Sequence, residues 1–573
     1  MRVSVGALVL IAVAGCYGTP RSSPPKGGLG ADGGTAGAGA GDAGLDIAPV
    51  ACNAGTTCPP GTVCGSANLC VDCSAITTTL PAAPALRRPM RGAYTGSLHA
   101  PAALATLRPT FTWNAVAPTC GAVGYQVQAD NSCSPGALDA CAFPSPELDA
   151  AAIAATTYAP TSDLKVSTTP PVGAFYAWRV RACDASARCG PWSEVRYLHV
   201  GRVREDINGD GYGDLVVGSN RGTEVYLGRS QFDPSDASHT IPLVNGVPSA
   251  FVGDVDCDGY GDLFGTTSYT PTSGQVPTIY FGAGDVTALP TLLLTKTAGG
   301  PSTQMQTTSA GDMNGDGFAD LIVQWAYGLT TPMTELRVFF GGTAIANTPD
   351  LSIPGPYVNY YTLQDSGRVG DLNGDGFEEI ALAAMSDEGA RGGLIQLFAG
   401  GLHPTATPVN VAVVAATYQI EPVGDVDVDG FDDAIIVVSG RNYAFYRGNG
   451  QLPSVPAMTW TDATTSSAAG GFDIDRDGYS DFVVATTASA PILYGGTTAG
   501  ARVISNGLAR LTGSRVMGFS DHDGDGRPDF IGVDTSTIPA SILWAGSDGT
   551  TNPRAFAVRL PSSGEMFNGL LVR

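Results

Sequence analysis

Nine residues, DINGDGYGD from Asp206 to Asp214, return six more times along this chain of 573 residues. The copies are DVDCDGYGD from Asp254, DMNGDGFAD from Asp312, DLNGDGFEE from Asp371, DVDVDGFDD from Asp425, DIDRDGYSD from Asp473 and DHDGDGRPD from Asp521. Successive starts lie 48, 58, 59, 54, 48 and 48 residues apart. Self-similarity at such a period marks a repeat architecture, in which one supersecondary unit stacks on the next.

Each copy sets oxygen-bearing side chains at positions 1, 3, 5 and 9. In order they are Asp206, Asn208, Asp210, Asp214; Asp254, Asp256, Asp258, Asp262; Asp312, Asn314, Asp316, Asp320; and Asp371, Asn373, Asp375, Glu379. The last three sets are Asp425, Asp427, Asp429, Asp433; Asp473, Asp475, Asp477, Asp481; and Asp521, Asp523, Asp525, Asp529. Position 6 is always glycine, which permits a sharp turn. Like charges packed so closely repel, and a hard cation such as calcium, which takes several oxygen ligands, removes the conflict. The carbonyl at position 7 (Tyr212, Tyr260, Phe318, Phe377, Phe431, Tyr479, Arg527) is expected to add a ligand. Helical calcium loops need an acid at position 12, where this chain has Val217, Gly265, Val323, Leu382, Ile436, Val484 and Gly532. Polar turns without metal also favour Asp, Asn and Gly. Charge argues for the metal: positions 1, 3, 5 and 9 hold 25 of the 53 acids in a chain of net charge −23, and seven divalent ions would cancel 14 charges.

After every copy comes an apolar, β-rich run (DLVVG, DLFGT, DLIVQ, EIALA, DAIIV, DFVVA, DFIGV), so the loop joins two strands. Later in each unit an aromatic or aliphatic strand ends on glycine: EVYLG, TIYFG, RVFFGG, IQLFAGG, AFYRGNG, PILYGG and SILWAG. Loop and strand together resemble the FG-GAP (VCBS) repeats of integrin α-subunit heads over residues 200–573. The resemblance implies an all-β fold: a seven-bladed β-propeller of four-stranded blades, with up to seven calcium ions in the first hairpin loops. It departs at Glu379, a longer arm, and at Arg527-Pro528. Residues 556–560 are expected to complete the seventh unit, and the terminal MFNGLLVR to pair with the first.

The N-terminus reads as an address. Arg2 and an apolar run from Val3 to Val13, too short to span a bilayer, suggest a signal peptide over residues 1–15. Val13-Ala14-Gly15-Cys16 resembles the lipobox of bacterial lipoproteins, which implies lipidation of Cys16. Tyr17 in place of Asp implies sorting to the outer membrane or cell surface of a Gram-negative bacterium. Residues 16–51, rich in Gly, Ala and Pro, form a tether.

Residues 52–74 hold Cys52, Cys58, Cys64, Cys70 and Cys73, which in an exported chain form disulfides rather than a zinc site. From 84 to 200 alternating runs carry Phe111, Trp113, Tyr125, Val127, Tyr176, Trp178 and Val180, the pattern of a β-sandwich. The segment resembles a fibronectin type III domain, read as a spacer. Cys183 and Cys189 flank a hairpin turn, Cys133 and Cys141 are expected to pair likewise, and Cys120 is left for Cys73. With Cys16 lipidated, Cys257 remains as an isolated thiol.

The acidic balance excludes nucleic acid, whose phosphates need a basic face. None of the five histidines sits in a metal-protease pattern, and no nucleophile elbow occurs, so no enzyme is expected. The expectation is a calcium-stabilised, lipid-anchored adhesion or recognition protein for a surface protein or glycan. A polysaccharide-degrading propeller and a structural member of an envelope complex are the alternatives. Ligand contacts are expected opposite the calcium loops: Trp325 and Tyr327 in a turn, Tyr357, Tyr360 and Tyr361 between units, and Asp387, Glu388 and Arg391.

Overall fold

The computed structural model describes residues 51–559 apart from 53–57, 60–61, 66–67, 76, 220–221, 231, 233–238, 242–247, 271–273, 296–301, 328–332, 356–360, 387–392, 415–416, 439–441, 450–454, 462–464, 474–478, 487–491, 495–501, 505–513, 535–540 and 547–553. Among these residues the regular structure is β, with four single-turn 3-10 helices and no α-helix.

The first module is one hairpin, Thr62–Cys64 against Cys70–Asp72, stapled by Cys52–Cys64 and Cys58–Cys70. A unit this small cannot bury enough apolar surface to hold itself. Cys73–Cys120 ties it to the next domain, and Cys133–Cys141 and Cys183–Cys189 form as expected. Cys257 is disulfide-bonded and no described cysteine is free, which corrects the isolated thiol expected there. The expectation rested on an odd count reached by setting Cys16 aside.

Residues 86–200 build two facing sheets. One holds Leu86–Arg88, Phe111–Trp113 and Thr157–Tyr158; the other runs Ala93–Tyr94, Arg196–Val200, Ala174–Cys183, Gly124–Asp130 and Leu148–Ile153, with Cys189–Trp192 beside Ala174–Cys183. Alternation puts Tyr125 and Val127 inward on one strand and Tyr176, Trp178 and Val180 on another, against Phe111 and Trp113 of the opposite sheet. Burial of each such side chain contributes about 1.5–3 kcal/mol.

Residues 206–559 form seven antiparallel sheets in chain order. The first shows three strands, Leu215–Ser219, Gly222–Tyr226 and His239–Ile241, and each of the other six shows four. In those six the nine-residue copy closes the first hairpin: Gly253 pairs with Asp262, Gly311 with Asp320, Gly370 with Glu379, Gly424 with Asp433, Phe472 with Asp481 and Ser520 with Asp529. Arg554–Arg559 is the fourth strand of the last sheet, as expected. The terminal MFNGLLVR lies outside the described residues.

The unbroken apolar runs now have a reason. Leu263 packs with Val216 and Val225 of the first sheet, while its neighbour Phe264 packs with Leu321 and Val323 of the third. Ile380 and Ala381 divide in the same way between the third and fifth sheets. A strand buried on both faces has no polar face to alternate with.

Backbone hydrogen bonds link the loops in series. The N–H at position 8 of one loop donates to the position-1 carbonyl of the loop before it: Gly261 to Asp206 (2.6 Å), Ala319 to Asp254 (3.3 Å), Glu378 to Asp312 (3.4 Å), Asp432 to Asp371 (2.9 Å) and Ser480 to Asp425 (3.1 Å). Gly213 of the first loop donates to Asp521 of the last (2.7 Å), so the series returns on itself. At the remaining junction position 8 is Pro528, which has no N–H to give.

Candidate metal centres

Two left-handed residues coil each of the six loops whose positions 4 and 6 are described. Position 6 has φ between +79° and +98° at the six described glycines, and position 4 is also left-handed, with glycine at 209, 315, 374 and 524. Cys257 (φ 57°) and Val428 (φ 56°) adopt the same conformation without glycine's freedom. The glycine at position 4 has a second cause. The ring of Tyr260 lies on Gly209, Phe377 on Gly315, Phe431 on Gly374 and Tyr212 on Gly524, so a Cβ there would collide with the next loop's position-7 aromatic.

This coil points backbone N–H groups at the carboxylates. One oxygen of the position-1 acid accepts from the position-6 glycine, as Asp206 from Gly211 (2.6 Å), Asp254 from Gly259 (2.9 Å) and Asp425 from Gly430 (3.0 Å). One oxygen of the position-5 acid accepts from position 7, as Asp210 from Tyr212 (3.0 Å). The position-9 acid uses both oxygens. Asp262 accepts from Val255 (2.7 Å) and from Gly282 (2.8 Å), and Asp214 accepts from Ile207 and Gly228 (2.8 Å each). Gly228 and Gly282 end the aromatic-Gly strands, as do Gly341 and Gly448, which donate to Asp320 and Asp433 (2.9 Å each), so in these four units the two sequence signatures meet at position 9. Sequence reasoning had both signals and missed the bond between them.

What stays unsatisfied points to a cation. Asp254 Oδ1, Asp371 Oδ1, Asp427 Oδ1 and Asp521 Oδ1 are buried without a hydrogen-bond partner. In three loops the acids at positions 1, 3 and 9 (Asp254, Asp256, Asp262; Asp425, Asp427, Asp433; Asp521, Asp523, Asp529) bring oxygens within 4.8 Å of one another. Burial first, then the neighbouring carboxylate Asp210, pushes Asp206 up to about 7. Burial and Asp256 raise Asp258 to about 7, and burial and Asp529 raise Asp521 to about 8. These acids cannot all ionise near neutrality unless positive charge joins them. An all-oxygen, carboxylate-rich cradle fits a hard divalent cation.

The loops are not identical. In the fourth, Glu379 accepts from Leu372 (3.0 Å) like its shorter counterparts, but its extra length also reaches the Asn373 amide (2.9 Å). In the first and third, the corresponding Asn208 and Asn314 donate to Asp210 and Asp316 (2.9 Å each). Asp475 and Asp477 of the sixth loop lie outside the described residues.

The domain of two facing sheets, with the connector that follows it, lies on this loop face, which the sequence did not reveal. Arg88 pairs with Asp425 (3.2 Å), Arg202 with Asp254 (3.8 Å) and Arg196 with Asp371 (4.0 Å). Arg91 donates to the Gly315 carbonyl (3.0 Å) and Arg87 to that of Asp429. On the first loop Ser97 donates to the Gly211 carbonyl (2.6 Å), His99 to that of Asp210 (2.8 Å) and the Val172 N–H to that of Gly209 (2.9 Å). Loops one to five are thus all touched. The signal lay in the arginines around an acidic repeat, but nothing in the spacing says where they point.

Of the expected ligand contacts, Trp325 and Tyr327 lie on the strand Asp320–Tyr327, in register with Glu335 and Met333, and not in a turn. The run continues with aromatic β-formers, which extend the strand. Tyr361 opens the strand Tyr361–Gly370 opposite Ser386. All three stand at strand ends remote from the acidic loops. Tyr357, Tyr360, Asp387, Glu388 and Arg391 lie outside the described residues.

Residues 206–265 match the family model of the FG-GAP-like repeat, a span that runs from the first acidic loop through the second. No curated protein matches the chain. Among solved structures, that of BBS1N in complex with ARL6DN is 12% identical and covers 58% of this chain and 89% of its own, with a TM-score of 0.36. Hsv2 from Kluyvelomyces marxianus is 10% identical (56% and 88% covered, TM-score 0.28), and a mutant of AofleA from Arthrobotrys oligospora is 14% identical (60% and 85%, TM-score 0.24). At these scores the likenesses carry no argument.

Proposed function

We propose that the seven sheets are the blades of a closed propeller, that its acidic loops bind calcium, and that the whole is an exported binding protein for a surface protein or glycan. The buried carboxylate oxygens without a partner carry the calcium reading, because one divalent ion per loop satisfies them together. Ring closure draws support from the bond between Gly213 and Asp521, which joins first loop to last. It draws further support from Arg204, held below its usual range first by burial and then by Arg368 of the fourth sheet, with Glu205 and Glu378 also close.

The two facing sheets of residues 86–200 suit a fibronectin type III-like spacer. Because that domain covers the loop face, an external ligand meets the other end, where Trp325, Tyr327 and Tyr361 stand. Their aromatic faces suit a sugar or an interface anchor. Calcium titration calorimetry tests the metal, and a glycan array beside a reducing-sugar assay tests the ligand. Retention of a glycan without release of reducing ends is the expected pair of results; steady release would make the protein an enzyme instead.

Export agrees with the disulfides; a lipid anchor would rest on Cys16, the one cysteine of the sequence left to pair with Cys257, so anchor and bridge compete for a single sulfur. Globomycin-sensitive maturation and recovery in the membrane fraction are expected. One sulfur cannot carry both a lipid and a bridge, so peptide mapping that found Cys16 joined to Cys257 would overturn the anchor.

A further inference from the structure

The sandwich and the repeats meet through shared carboxylates. Asp254 turns Oδ2 toward Arg202 (3.8 Å), a connector residue whose Nε donates to the sandwich carbonyl of Val172 (2.8 Å), while its Oδ1 is buried without a partner inside the loop. Asp371 does the same, with Oδ2 toward Arg196 (4.0 Å) and Oδ1 unpartnered. Each of these side chains therefore has one oxygen shared between its own loop's position-6 glycine (2.9 Å in both) and an arginine, and one for the centre of its loop. Arg88 also donates to the position-1 carbonyl of Asp425 (2.8 Å), and other contacts fall on carbonyls at loop positions 4 to 6 (Gly209, Asp210, Gly211, Gly315, Asp429), whose direction is set by the coil of the loop.

We propose that the sandwich is a clamp on the loop face whose grip depends on cation occupancy of the loops, the position-1 carboxylates bridging cation and arginine. The proposal rests on the calcium reading above. Charge favours the three-part arrangement. The second and fifth loops each carry four acids at positions 1, 3, 5 and 9, so one divalent ion leaves each negative, and Arg202 and Arg88 lie where that residue of charge remains. Without the ion the carboxylates repel, the coil loosens, and the carbonyls that Ser97, His99, Arg87 and Arg91 hold no longer stand in position. A clamp that senses occupancy in this way also keeps the loop face closed to outside ligands while calcium is bound.

The test uses the full chain and two readouts, radius of gyration by small-angle scattering and tryptic cleavage of the connector after Arg204. With calcium the wild type is expected to be compact and its connector resistant. EGTA is expected to enlarge the particle and abolish that resistance, and the double variant R88A/R202A to do both with calcium still present and bound. A wild-type radius and resistant connector in the double variant would overturn the clamp. If calorimetry shows no calcium binding to the wild type, the calcium reading fails, and the dependence on occupancy with it. If calcium binds and EGTA leaves radius and cleavage unchanged, the coupling alone fails. Should the double variant lose its calcium-dependent melting, R88Q with the same readouts replaces it.

Discussion

The sandwich and the repeats solve the same problem by opposite means. Residues 51–200 are held by five disulfides and by an aromatic core drawn from two facing sheets. The repeats bury apolar residues between neighbouring sheets, but they also bury Asp214, Asp262, Asp320, Glu379 and Asp433, whose carboxylates pin backbone N–H groups from two places in each unit. One region is stabilised by chemistry that no ion affects. The other stores negative charge where water cannot reach it, and its stability becomes a function of what neutralises that charge.

Acidity should separate the two most strongly. The raised values of Asp206 and Asp258 (about 7) and of Asp521 and Asp433 (about 8) mean that the metal-free fold holds protons the unfolded chain has lost. Stability from these groups is fully present below the unfolded value near 4 and is lost as pH rises through 7 to 8. In EGTA the metal-free repeats should lose on the order of 5 kcal/mol or more between pH 5 and 8, while the sandwich stays level. Calcium should flatten the repeats' profile at neutral pH and lose its effect near pH 5, where protons compete. Melting curves across pH in EGTA and in calcium read both.

Reduction should act the other way. Breaking a native bridge in a small domain typically costs about 2–5 kcal/mol, so dithiothreitol should unfold the hairpin module and weaken the sandwich first. Hydrogen exchange resolved by region would show it; first loss of protection in the repeats would reverse the assignment.

Within a loop, positions 5 and 9 can be told apart. Asp262→Ala leaves two buried N–H groups, of Val255 and Gly282, without acceptors, a cost of about 2–5 kcal/mol even in EGTA. Asp258→Ala should cost clearly less in EGTA, since it relieves repulsion, and should show its loss only in calcium. Equal destabilisation of the two variants in chelator would mean that position 9 has no structural duty of its own.

Much of this was legible in the sequence. Seven copies at regular spacing carry the repeat, the apolar runs carry the strands, and the inward residues Phe111, Trp113, Tyr176 and Trp178 follow from period two. Position 6 follows from glycine's conformational freedom. The rest depends on contacts between units, which no local pattern encodes. The aromatic at position 7 reads as a carbonyl ligand until Phe377 is seen lying on Gly315 of the preceding loop. The arginines at 88, 196 and 202 read as ordinary strand and linker charges until the sandwich is placed on the loops.

The smallest effect concerns the junction of the sixth and seventh units, where Arg476 stands at a position that is glycine in four other loops, and Arg527 and Pro528 replace the aromatic and the N–H donor used elsewhere. Pro528→Ala restores a donor for the Asp473 carbonyl, a gain of about 1 kcal/mol. It also frees the unfolded chain by about 0.4–1 kcal/mol. Net stability should hardly change, and the new amide at 528 should resist exchange; rapid exchange there would mean that this junction is built differently from the other six.

The dependence of the repeats on a bound cation is tested most directly by scanning calorimetry of the full chain in millimolar calcium and in EGTA. Extracellular calcium modules bind in the range of about 10⁻⁴ to 10⁻³ M, so millimolar calcium, about one to ten times the dissociation constant, adds roughly 0.4–1.4 kcal/mol per site, and seven sites add up. The transition of the repeats should therefore fall by many degrees in EGTA, with that of the sandwich unmoved and magnesium a poor substitute. Superimposable thermograms with and without calcium would contradict it.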